Sequence, residues 1–204
     1  GSSETIMPVA AEFAVANVAA AMAALLSLGH SLREVTDAVA CMTPVPGRMQ
    51  VIDAGSPYPR VIVDYAHTPD ALEKTLAALR PQCRGELICL VGCGGDRDRG
   101  KRGQMGLAAV KGSDRVWFTS DNPRSEDPSA IIHDMLEPLK TPDSSRVHRQ
   151  ADRAKAIAEA IESAGADDIL LIAGKGHEQT QEINGEFLPF SDFAIVDQLQ
   201  SGKN

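Results

Sequence analysis

Several common routes to function are closed to this sequence by what it lacks. No apolar run approaches the roughly 20 residues of a membrane-spanning helix, and the alanine-rich stretch 18–28 is too short to qualify. The start has no basic region of the kind that opens a cleavable secretory signal, and Gly1-Ser2-Ser3 reads as an expression scar. A surplus of basic charge is missing too. The formal net charge is −8, which argues against a general nucleic-acid surface but leaves room for a local basic cluster around phosphates. The four cysteines, Cys41, Cys83, Cys89 and Cys93, contain no Cys-x-x-Cys. They match no zinc or redox spacing, so the expectation is free thiols in a reducing cytosol. Two nucleotide signatures are also absent. The Walker spacing Gly-x-x-x-x-Gly-Lys-Ser/Thr occurs nowhere, and Gly92-x-Gly94-Gly95 lacks the final glycine of the dinucleotide fingerprint. With 204 residues, 43% hydrophobic and 24% charged, the chain is expected to be cytoplasmic and globular. It has enough length for one good-sized domain, or one domain plus part of another.

What is present has a clear rhythm. Residues 13–28 form an alanine-rich helical pattern that Gly29 ends, and Ser31 is placed to cap a second helix carrying Leu32, Val35 and Val39. Two helices of this length cannot bury their apolar faces alone. Pro44-Val45-Pro46-Gly47 then breaks the pattern and marks the expected domain boundary, with residues 1–45 before it and 46–204 after it. From Arg48 the pattern becomes strand, loop, helix. Strands are expected at 49–52, 60–63, 87–91, 115–118 and 169–172, with a short one at Val147. Thr68-Pro69-Asp70 has the cap, proline and acid of a helix start. Leu72, Leu76 and Leu79 give that helix its buried stripe. Further helices are expected around Met105, Ile131 and Leu136, over 152–164, and after Ser191. Asn184-Gly185 is a hairpin signal and predicts an antiparallel edge. The fold class is therefore α/β: a mainly parallel sheet with helices on both faces.

Such a sheet gathers its strand-end loops on one rim, where open α/β sheets bind ligands. Those loops hold residues 64–67, 92–102, 121–124 and 174–178. Asp64 is either a ribose acceptor or a loop cap. Gly92–Gly95 with Arg97, Arg99, Lys101 and Arg102 offers close backbone approach and positive charge for a carboxylate or phosphate. The polar stretch 119–128 holds Arg124, whose planar fork suits a carboxylate, beside a stiffening Pro123. Gly174-Lys175-Gly176-His177-Glu178 offers a cation, an imidazole and a carboxylate together.

In order, five motifs stand out: Pro46-Gly47-Arg48-Met49, Asp64-Tyr65-Ala66-His67-Thr68-Pro69, Gly92-Cys93-Gly94-Gly95-Asp96-Arg97-Asp98, Asp121-Asn122-Pro123-Arg124 and Gly174-Lys175-Gly176-His177-Glu178. Together they resemble the Mur ligases, ATP-dependent amide-forming enzymes of peptidoglycan synthesis, and within them the branch that adds meso-diaminopimelate. The resemblance implies a Rossmann-like carboxyl-terminal domain preceded by two helices left from a central ATP-binding domain. The chain would then be a shortened version or a proteolytic product, inactive alone. Asn17, Arg48, Asp64 and His67 look like the family's ATP contacts. Arg97, Asp121, Asn122, Pro123, Arg124, Gly174 and Glu178 look like its meso-diaminopimelate pocket. ATP and magnesium are the implied cofactors, with the magnesium ligands expected in the central domain. The UDP-N-acetylmuramoyl-dipeptide would be bound mainly by the other domains. The family's Phe-Asn-x-x-Asn is Phe13-Ala14-Val15-Ala16-Asn17 here, and Gln104 replaces a common proline. Other readings are a lysine-adding or folylpolyglutamate-type amide ligase, or a non-catalytic nucleotide- or amino-acid-binding module.

Overall fold

The computed structural model describes residues 12–43, 45–52, 55–139, 143 and 145–201. Gly1-Ser2-Ser3, Pro44, the Phe13 side chain and part of the 138–145 segment lie outside the described residues. Helix α1 (Glu12–Ser27) and helix α2 (Leu32–Ala40) open the chain. Ser31 caps α2 reciprocally: its hydroxyl accepts from the Glu34 N–H while the Glu34 carboxylate accepts from the Ser31 N–H. Val35 and Val39 are buried, whereas Leu25, Leu26 and Leu28 of the first helix region stay exposed. This pair therefore lacks the apolar cover that the later helices possess.

The main sheet contains β1 (Gln50–Ile52), β2 (Arg60–Asp64), β3 (Leu87–Cys93), β4 (Arg115–Ser120), β5 (Val147–Arg149) and β6 (Ile169–Ala173). Their spatial order is β1-β2-β6-β3-β4-β5, with every pairing parallel except β1 with β2. Period-2 alternation sends successive side chains to opposite faces. Ile62, Cys89, Phe118 and Leu171 face α3 (Pro69–Leu79), α4 (Gly100–Gly112) and α5 (Pro128–Leu136). Val61, Val63, Ile88, Leu90, Trp117 and Ile172 face α6 (Arg153–Ser163) and α7 (Asp192–Ser201). Full burial of one such Leu, Ile or Val side chain contributes about 1.5–3 kcal/mol. Two apolar layers thus hold the central strands rigid, and their carboxyl ends project as one rim.

The hairpin forms as expected, from β7 (Thr180–Ile183) and β8 (Glu186–Pro189), with Asn184 and Gly185 both at positive φ. Its location differs from the expectation of an antiparallel edge there. β7 and β8 form a separate two-stranded sheet, and the antiparallel edge of the main sheet is β1. The reason is positional. β7 follows β6, which already has β2 and β3 on its two sides, so the chain leaving β6 has no edge to join. It pairs instead with the loop after β4, through a parallel bridge between Arg124 and Ile183.

Candidate functional site

The loop after β4 and the loop after β6 meet around one ammonium. Lys175 is fully buried, and its Nζ donates to Asn122 Oδ1 at 3.0 Å, Glu178 Oε2 at 3.0 Å and Asp121 Oδ1 at 3.4 Å. Those three acceptors match the three donors of an ammonium. Asn122 is held at both ends: its amide nitrogen donates to Glu178 Oε2, and its oxygen also accepts from the Glu182 N–H. Burial alone would raise the Glu178 carboxyl, but Asn122 and Lys175 hold it below its ordinary range. Two carboxylates share one resident cation, so this pole keeps a net negative charge and suits a ligand ammonium. The Asp121, Asn122 and Glu178 of the sequence reading are brought together here by a lysine that reading did not place in the pocket.

Arg124 forms the other pole. It sits at φ 53 with its Nε donating to Glu182 Oε2 at 2.8 Å and Nη1 donating to Gly95 O at 2.7 Å. Its backbone is pinned between Glu182 O and the Asn184 N–H. Its Nη2 has no hydrogen-bond partner among the described residues, which leaves that nitrogen as the donor for an anion. Arg124 is therefore not a lone cation. Glu182 offsets much of its charge and fixes its plane. Pro123 is buried behind it, with its carbonyl against Gly95.

The basic loop 92–102 is only partly what its composition suggested. Arg102 lies inside α4, is buried, and donates to Glu126 and Asp134. Arg99 pairs with Glu126 and Lys101 faces Asp98. Of the four basic residues offered there, Arg97 alone has no ion pair among the described residues, and it is exposed. A Gly-rich run hides where a helix begins, and α4, starting at Gly100, takes Arg102 out of the loop and turns it inward. Glu126 is the hub of this region. Its hydrogen bonds from Arg102, then the Asp96 N–H, pull its carboxyl down to about 2. Cys93 in the same loop is pushed up to about 12, first by burial and then by Asp121, so its thiol is neutral.

The second half of the rim surrounds Asp64. Its Oδ2 accepts from the Met49 N–H at 2.8 Å and its Oδ1 from the Ala66 N–H at 2.9 Å. Asp64 thus acts as a cap in this structure, and burial raises its carboxyl despite those bonds. Tyr65 beside it carries the Arg48 guanidinium 4.6 Å from its ring centroid, His67 at 4.7 Å and His177 at 5.7 Å. Arg48, Asp64 and His67 of the sequence reading are therefore neighbours, joined by a tyrosine it did not single out for a role. Asn17 is exposed on α1, and no hydrogen bond or ring contact of the described residues joins it to that group.

Two backbone contacts join the halves. Gly174, at φ 110, donates its N–H to Asp64 O at 3.1 Å. Gly47 and Gly176 meet face to face: a Cβ on Gly47 would fall 2.1 Å from His177 N, and one on Gly176 would fall 2.7 Å from Gly47 O. Both have positive φ, so glycine is required twice over at this crossing.

The family model for the Mur ligase, glutamate ligase domain matches residues 47–176. The chain belongs to the Mur ligase family. It is 51% identical over 180 residues to the UDP-N-acetylmuramoyl-L-alanyl-D-glutamate–2,6-diaminopimelate ligase of Pseudomonas putida, a match covering 88% of this chain and 36% of that protein. A solved structure of a UDP-N-acetylmuramoyl-L-alanyl-D-glutamate–2,6-diaminopimelate ligase superimposes with a TM-score of 0.74 at 43% identity, covering 100% of this chain and 41% of that one. A folylpolyglutamate synthase of Mycobacterium tuberculosis, solved with ADP and AMPPCP, shares the fold at 20% identity and a TM-score of 0.64, over 84% of this chain and 39% of its own. The chain thus spans well under half the length of the Mur ligase relatives it matches.

Proposed function

We propose that residues 46–204 are the amino-acid-binding, carboxyl-terminal domain of an ATP-dependent ligase that adds meso-diaminopimelate to UDP-N-acetylmuramoyl-L-alanyl-D-glutamate, and that residues 1–45 contain the last two helices of a preceding ATP-binding domain. In this reaction the terminal phosphoryl group of ATP passes to the γ-carboxylate of the D-glutamyl residue. One amine of meso-diaminopimelate then attacks the acyl phosphate, the amide forms and phosphate leaves.

The observation that carries the amino-acid assignment is the two-pole arrangement around Lys175 and Arg124. Asp121 and Glu178, with one shared resident cation, would take an ammonium. The remaining Nη2 donor of Arg124, with Arg97 exposed nearby on the adjoining loop, would take the extra carboxylate that lysine lacks. A lysine side chain would present a second cation to that arginine, and rejection of this kind gives specificity as well as attraction. Because Glu182 already offsets Arg124, the rejection is weaker than a lone arginine would give. Pro123 and Gly174 would shape the pocket through backbone, and Arg48, Asp64, His67 and Asn17 are assigned to ATP. Domain closure over ATP would complete the site. Among the described residues no group of three or more His, Cys, Asp or Glu side chains is arranged to hold a metal ion. Magnesium at a nucleotide is held by one or two carboxylates together with phosphate oxygens and water, and its protein ligands are assigned to the preceding domain.

The test is an assay of the full-length ligase containing this chain, with meso-diaminopimelate, lysine and glutamate offered in turn as acceptor. Preference for meso-diaminopimelate is expected. Equal or better use of lysine would overturn the assignment of the Arg124 pole, and use of glutamate would point to a folylpolyglutamate-type reaction.

A further inference from the structure

The two loops of the amino-acid pocket leave strands that are not neighbours. β4 precedes Asp121 and β6 precedes Gly174, with β3 lying between them. No ladder hydrogen bond therefore fixes the spacing of one loop relative to the other at the point where each leaves the sheet. Beneath this gap is Arg153, the first residue of α6, 1% exposed. Its Nη1 donates to Ser120 O at 3.3 Å and its Nη2 to Ala173 O at 3.0 Å. Those are the last carbonyls of β4 and β6, one residue before each pocket loop. The Nε and Nη2 edge of the same guanidinium is taken bidentately by Asp192, at 2.7 and 2.8 Å, and Asp192 is itself 0% exposed at the start of α7.

A pair of hidden charges is a poor way to gain stability, because desolvation consumes most of the Coulomb attraction. Apolar side chains would fill the α6–α7 layer as well. What only a planar fork can do is reach two carbonyls on two separate strands while being held in plane by a third partner. Burial would push the guanidinium down, but Asp192's charge and hydrogen bonds more than offset this and keep it cationic. Asp121 and Glu178 also lie within its electrostatic reach, so it adds positive potential below the negative pole.

We infer that Arg153, locked by Asp192, is a positioning residue for the amino-acid pocket: it sets the spacing between loop 121–124 and loop 174–178. This rests on the amino-acid assignment made above. Gln181 supplements the clamp from above, its Nε2 donating to Ser120 Oγ at 3.0 Å and to Asp121 O at 2.6 Å. A buried pocket wall displaced by about 1 Å is enough to cost on the order of a hundredfold in rate or affinity.

The experiment uses the full-length ligase with three changes: Arg153→Lys, which keeps a cation without the fork; Arg153→Met combined with Asp192→Leu, which removes both charges at similar volume; and Asp192→Asn, which loosens the lock. Michaelis constants for meso-diaminopimelate and for ATP are measured alongside thermal unfolding. The first two variants are expected to raise the acceptor constant by roughly 10- to 100-fold. The ATP constant should rise several-fold less, because loop 174–178 reaches the ATP side only through the Gly174–Asp64 and Gly47–Gly176 backbone contacts. Asp192→Asn should fall between parent and Arg153→Lys. The inference is overturned by an acceptor constant that stays within about twofold of the parent in both Arg153 variants. It is equally overturned by acceptor and ATP constants rising by the same factor, or by loss of fold in all three variants, since either marks the pair as structural. A parent enzyme that rejects meso-diaminopimelate refutes the acceptor assignment instead, and the clamp is then read on whichever amino acid the parent accepts.

Discussion

The two halves of the rim are built on different principles. On the side we propose for the amino acid nearly every charge has a resident partner: Lys175 with Asp121 and Glu178, Arg124 with Glu182, Arg102 with Glu126 and Asp134. On the side we propose for ATP, the described residues form no ion pair. Arg48 rests on a tyrosine face, His67 and His177 flank the same ring, and Asp64 is capped by backbone. The first half is preorganised by charge and hydrogen bonds. The second is an exposed aromatic platform, and under our reading it is completed by the preceding domain and ATP. Domain closure would thus bring an unfinished half up to a finished one.

Breaking the finished half should cost most. Lys175→Met would leave Asp121 and Glu178 facing each other without their cation, and removing one partner of a buried pair costs about 3–5 kcal/mol. Urea unfolding measures it; a loss below about 1 kcal/mol, as for exposed pairs, would erase the contrast between the halves. Next, Arg124→Ala in the full-length ligase should weaken acceptor binding by roughly 2–5 kcal/mol, because Glu182 also loses its partner. An unchanged Michaelis constant for meso-diaminopimelate would sink the Arg124 assignment.

At the seam between the halves, Gly47→Ala must displace Gly176 or strain its own backbone. A loss of about 1–3 kcal/mol is expected in thermal unfolding, with both substrate constants rising. A change confined to one substrate would show that the halves are not coupled at this crossing. On the nucleotide side, Arg48→Gln should cost only about 0.5–1 kcal/mol of stability, the value of an exposed cation–π contact, while raising the ATP constant. A larger stability loss than acceptor-side variants show would reverse the comparison.

The last contrast vanishes at neutral pH. Glu126 has its folded carboxyl at about 2, against an ordinary 4.5. A depressed acid contributes stability above its unfolded value and loses it as pH falls through the folded one. Acid should therefore erode the amino-acid side between about 4.5 and 2. Asp64 is shifted the other way, so its ionised form is penalised in the fold and protonation favours folding. Acid titration of thermal stability should show Glu126→Gln flattening the decline and Asp64→Asn leaving it in place; the opposite pattern would exchange the two assignments.

Much of this fold was legible because local signals agreed with the global one. Thr68-Pro69, the Ser31 cap and Asn184-Gly185 each formed what their chemistry predicts. β-branched runs such as residues 61–63 became fully buried strands. The site was legible as loops on one rim, since parallel topology forces that gathering. Pairing was not. Lys175 reads as one cation in a motif, yet two of its three partners, Asp121 and Asn122, lie more than 50 residues earlier in the chain. Arg102 reads as a loop cation and Arg153 gives no signal of its own, yet both are buried, because periodicity records apolar residues and says nothing about which charge turns inward.

The sequence by itself determined the strand-helix order, the caps, the hairpin turn and the rim on which polar loops collect, because those follow from dihedral preference and apolar spacing within a few residues. Tertiary structure alone decided that β7–β8 leaves the main sheet, that Asp64 is occupied by Met49 and Ala66, that Glu182 neutralises Arg124, and that Arg153 grips the ends of β4 and β6. Each of these depends on which polar groups burial brings within about 3 Å of one another. Hydrogen bonds and ion pairs between distant segments leave no period in the chain, and they are what shape this pocket.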